Sequence, residues 1–116
     1  MVYEGTFDLS PLVALQLVSQ AKAAARQGQG PELVVQIAQQ AAALDPSLGD
    51  AHIVVCASYD RLGRVDDARR ECNLGVELIR NDPQFGPQTM RFLQNYLAGS
   101  GLQKYTNAAA DSGESR

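Results

Sequence analysis

His52, Cys56 and Cys72 carry the sharpest chemistry in this chain. His52 and Cys56 stand four residues apart, so on a helix they share one face. With Cys72 they make three potential ligands for a soft metal. A structural zinc site normally takes four, and with one His, two Cys and no CxxC pair the set stays incomplete. No metal and no cofactor are expected. Cys with His also suggests a nucleophile and its base, but residues on one packed helix face lack the cleft, orienting group and oxyanion donors of acyl chemistry. No catalytic residue is expected and the chain is not read as an enzyme. Asp66, Asp67 and Glu71 alternate with Arg64, Arg69 and Arg70. Pairs three or four apart read as a solvated helix face, each pair contributing a few tenths of a kcal/mol.

The elements that must position these residues are helical. The 116 residues suit one domain, with 45% hydrophobic and 20% charged residues in the ordinary globular range. Aromatics make up only 6% and Trp is absent, so the core must come from Ala, Val and Leu, as in closely approaching helices. A net charge of −3 without a Lys or Arg run disfavours nucleic acid and anionic membrane surfaces. No stretch approaches the roughly 20 apolar residues of a membrane span, so no membrane insertion is expected. Two cysteines do not make a secreted disulfide framework, so reduced thiols and a cytoplasmic location are the expectation.

Helix boundaries follow Pro and Gly. Ser10-Pro11 opens a first helix, with Leu12, Leu15, Leu17, Val18, Ala21 and Ala25 mostly at three- and four-residue steps, and Gly28-Gln29-Gly30 stops it. Pro31 opens a second helix that ends at Asp45-Pro46. A third covers Gly49 to Leu62. A fourth runs from Val65 to Asn81 with Asp66 and Asp67 at its positive dipole end, and Asp82-Pro83 repeats the earlier ending. Gly86-Pro87 opens a fifth, to about Ala98, with Met90, Leu93, Tyr96 and Leu97 along one face. Residues 1–98 thus form the expected helical domain, and residues 99–116, small and polar, a flexible C-terminal tail.

Pro46 to Tyr59 is thirteen residues, and Pro83 to Tyr96 is thirteen again. In the segment Ala51 to Asp82, His52, Val55, Cys56, Tyr59, Ala68, Cys72 and, three residues late, Pro83 stand in the signature places of the tetratricopeptide repeat family, which the segment resembles. The run from Tyr59 to Ala68 resembles the turn between paired helices of the tetratricopeptide repeat (TPR) family. Departures are His52 in the aromatic place, Gly75 where a small Ala is usual, and a longer fourth helix. The resemblance spans Pro11 to Ala98, about two and a half repeats. It implies an all-α fold, a right-handed α-solenoid of antiparallel helix pairs with five helices. Family packing would also bring Cys56 and Cys72 near each other, leaving a disulfide as the alternative to reduced thiols.

In that family the first helix of each pair lines a concave groove that selects a partner. Carried over, the groove residues are Leu15, Val18, Lys22 and Arg26 from the first helix. Asp50, Ile53, Ala57, Asp60 and Arg61 follow from the third, and Met90, Gln94 and Leu97 from the fifth. An apolar floor edged by Lys22, Arg26 and Arg61 suits a protein or peptide partner with hydrophobic anchors and acidic residues. The family's carboxylate clamp needs Asn where Ala57 and Gln94 stand, so that mode is not expected. The function implied is an adaptor or scaffold module. The alternatives are a homodimer through the fifth helix and a thiol- or metal-based redox protein.

Overall fold

A computed structural model describes residues 8–106. The described chain is all-helical, without a strand: α1 (Ser10–Arg26), α2 (Pro31–Leu44), α3 (Gly49–Arg61), α4 (Val65–Arg80) and α5 (Pro87–Ser100). Proline occupies the first turn of α1, α2 and α5, where its missing N–H leaves no helical bond unmade. The Ser10 hydroxyl makes no cap. Leu9 stands at the N-cap without a side-chain cap, and the Asp8 carboxylate before it accepts the Ser10 amide at 2.9 Å.

Consecutive helices pack on one another from α1 to α4, and α1 also touches α3. The core is built from small side chains: Ala14, Val18, Ala21, Val34, Ala38, Ala41, Ala51, Val55 and Ala68 are fully or nearly fully buried. On α1 this reverses the expected emphasis. Leu12 and Leu15 are exposed, and the buried stripe is Ala14, Val18, Ala21 and Ala24, because closely spaced helices leave no volume for leucine at the seam.

The tightest seam joins α3 to α4. A Cβ on Gly75 would lie 2.8 Å from Ile53 Cδ1 and 2.9 Å from the Gly49 carbonyl oxygen. A Cβ on Gly49 would lie 2.7 Å from the Gly75 carbonyl oxygen and from Ile79 Cγ1. The Gly75 that departs from the repeat pattern is therefore required by the approach of two backbones. Seven residues along α3 and three back along α4, Cys56 and Cys72 form a disulfide with their Cα atoms 5.2 Å apart. This overturns the expectation of reduced thiols. From the glycine contact to the disulfide the numbering rises along α3 and falls along α4, so the helices are antiparallel.

The described part of the expected tail is packed, not free. α5 continues to Ser100, Gly101 adopts φ +79°, and the Leu102 amide bonds back to the Leu97 carbonyl at 2.9 Å. That left-handed turn lays Leu102 against Leu97, both buried, as helix-terminating glycine motifs do. Residues 103–106 form a further helical turn with Tyr105 3% exposed. Residues 107–116 of that expected tail lie outside the described residues.

Two outcomes test this seam. Gly75→Ala raises intrinsic helix propensity by about 1 kcal/mol, yet overpacking costs about 1–3 kcal/mol, so the variant loses up to about 2 kcal/mol in urea denaturation, and a stabilised variant would refute the close approach. Reduction, or the pair Cys56→Ala and Cys72→Ala, removes the constraint on a loop of 16 residues and costs about 3 kcal/mol, read from denaturation with and without reductant.

Candidate functional site: an apolar groove between α1, α3, α4 and α5

A cleft of about 580 Å³ opens between α1, the start of α3, the end of α4 and α5. Its surface is mostly apolar. α1 contributes Leu15 from its outward face, α3 contributes Ile53, and the end of α4 contributes Leu78 and Ile79. α5 contributes Thr89, Phe92, Leu93 and Tyr96, residues three, four and seven apart that fall on one stripe. Phe92 is 75% exposed, and Leu15, Phe85 and Tyr96 also present large apolar surface to solvent along this one cleft. Clustered exposure of this kind sets the cleft apart from the single apolar side chains scattered over most protein surfaces.

The charged groups at the cleft are Lys22 and the carboxylates of Asp45, Asp50 and Asp82. Lys22 Nζ reaches Asp50 Oδ2 at 2.7 Å and thereby ties α1 to α3. Asp45 accepts from the Ser47 hydroxyl at 2.8 Å, and Asp82 accepts from the Gln84 amide at 3.0 Å, each closing the turn after its helix. Among the described residues neither Asp45 nor Asp82 pairs with a cation.

Of the residues expected to form the groove, Leu15, Lys22, Asp50 and Ile53 line this cleft. Val18 and Leu97 are buried in the core instead, and Met90 packs partly buried against it. Ala57 is half-buried against the core, while Arg26, Arg61 and Gln94 are exposed without lining the cleft. On α5 the expected stripe of Met90, Gln94 and Leu97 is displaced by one residue, about 100° of helical rotation, from the stripe that faces the cleft. Both stripes satisfy a helical period, so spacing did not distinguish them. Phe85, Phe92 and Leu78 were missed; the four-residue step from Phe92 to Tyr96 was the available signal. The basic edge expected from Arg26 and Arg61 is absent at the cleft, where carboxylates outnumber the single lysine.

Asp60 serves another contact. The Tyr105 hydroxyl donates to Asp60 Oδ1 at 2.5 Å, Lys104 Nζ lies 3.2 Å from the same oxygen, and Asn73 Nδ2 donates to the Tyr105 carbonyl at 3.4 Å. The Tyr105 hydrogen bond and Lys104 hold the Asp60 carboxyl below its usual range. Burial and the Asp60 carboxylate push the Tyr105 phenol up to about 12. This network clasps the C-terminal turn to α3 and α4.

His52 and the disulfide lie on the α3–α4 seam, away from the cleft. His52 Nδ1 is 2.7 Å from Glu71 Oε1, both partly buried, and both sulfurs are joined and fully buried. Among the described residues no group of three His, Cys, Asp or Glu side chains converges as a metal site would require. The sequence was compared with family models, curated proteins and solved structures. None matches. The cleft is therefore read on its own chemistry.

The clasp sets an alkaline limit. Because the folded phenol titrates near 12 against about 10 when free, its contribution is complete below pH 10 and lost as pH rises towards 12. Tyr105→Phe, which removes the hydroxyl, should lower stability by about 1 kcal/mol at neutral pH and abolish this alkaline step, as followed by ultraviolet titration and thermal melts.

Proposed function

We propose that this chain is a non-catalytic, TPR-like solenoid module that holds a segment of another protein in the cleft between α1, α3, α4 and α5. One observation carries the reading: Leu15, Phe85, Phe92 and Tyr96, all exposed and apolar, converge on one cleft. Monomeric proteins seldom leave such a patch uncovered without a use for it. The order of packing, each helix on the next with α1 also on α3, agrees with stacked helix pairs. An adaptor or scaffold role is the use that such an apolar cleft suits best.

Self-association through α5 is the second reading, favoured by the 75% exposure of Phe92. A redox role for the cysteines has little to support it, since buried sulfurs are closed to an attacking thiolate. No described helix is long and apolar enough to cross a membrane. The cytoplasmic location expected from reduced thiols loses that ground, and the disulfide favours an oxidising compartment.

Size exclusion with light scattering, followed by mass spectrometry of proteins that co-purify from native extract, tests the reading. The expected result is a monomer with a retained protein partner that Phe92→Glu or Leu15→Glu releases and Gln94→Glu does not, all three variants melting as the parent does. A stable dimer without partner, broken by Phe92→Glu, makes self-assembly the function instead.

A further inference from the structure

We infer that the segment held in the cleft is basic as well as apolar, with an Arg or Lys beside its hydrophobic anchors. The inference rests on the reading of the cleft as a docking groove and names the chemistry of its occupant. Two corners of the chain built alike, Asp45-Pro46 after α2 and Asp82-Pro83 after α4, meet at one mouth of the cleft. Ser47, Leu78 and Asp82 continue from there into a second depression of about 330 Å³.

Each corner follows a helix C-terminus, where unpaired carbonyls carry partial negative charge. The aspartates add a full charge each, and among the described residues no cation answers either one. Lys22 does not offset them, because Asp50 already holds its ammonium at 2.7 Å. An acidic segment would meet uncompensated repulsion at this mouth. A guanidinium or ammonium there would be attracted by both carboxylates, while Phe or Leu side chains of the same segment covered Phe92, Tyr96 and Leu15.

The test uses three fluorescein-labelled amphipathic peptides with identical Phe and Leu anchors at helical spacing, whose polar positions near one end hold Arg, Gln or Glu. Fluorescence polarisation on the full chain should rank them Arg, Gln, Glu, with about three- to tenfold between Arg and Gln at low salt and a smaller gap at high salt. Asp45→Asn with Asp82→Asn should erase that ranking, since Asn preserves the turn hydrogen bonds and removes only charge. Glu32→Gln with Asp66→Asn removes equal charge from the far ends of α2 and α4, about 20 Å along each helix, and should leave the ranking intact.

Equal binding of the three peptides, or preference for Glu, overturns the charge assignment while the groove reading stands. So does a ranking that both variant pairs weaken alike, which would reflect net charge alone. Binding of no peptide overturns both, as does a dimer seen by light scattering that excludes them all.

Discussion

The approach of α3 to α4 at Gly49 and Gly75 is the constraint on which the rest of the structure depends. Where each glycine would place a Cβ within 3 Å of the opposite backbone, two helices meet more closely than any side chain permits. That contact brings Cys56 and Cys72 within bonding range, buries Ala51 and Ala68, and fixes the rotation of α3 that turns Ile53 towards the cleft. The disulfide then fastens the same seam nearer the middle of the pair. A rigid pair is thus available against which α1 on one side and α5 on the other can define an opening.

Much of the helical plan was legible because it rests on local chemistry. Proline in a first turn and glycine after a last turn act within a few residues, so Pro11, Pro31, Pro87, Gly28 and Gly63 placed boundaries within about two residues. Facing was less legible. Leucines on α1 looked like the core stripe because they are the larger hydrophobes, but a seam of alanines excludes them and leaves Leu12 and Leu15 outside. On α5, Met90 with Leu97 and Phe92 with Tyr96 are both periodic, and only the tertiary packing chooses between them.

The disulfide and the C-terminal clasp failed for different reasons. Two cysteines 16 residues apart can equally be separate buried thiols, and their pairing depends on a close approach that Gly75 encodes only when Gly49 is known to face it. The segment after Ser100 was judged by average composition, which conceals two large residues three apart. Gly101 followed by Leu102 was a sufficient sign, since a left-handed glycine commonly folds the next apolar residue back onto the helix it ends. Tyr105 then finds Asp60 across 45 residues of sequence, a partnership no local signal contains.

α5 meets the remaining helices only along α4, and its cleft-facing stripe shares just Leu93 with the buried core. The core and the exposed surface of the cleft therefore draw on largely separate sets of residues. Substitutions at Thr89, Phe92 and Tyr96 reshape the cleft surface while the seams among α1 to α4 go untouched. Descendants of this chain can drift at those three positions without first accumulating compensating changes in the core, a separation that makes the cleft surface readily evolvable.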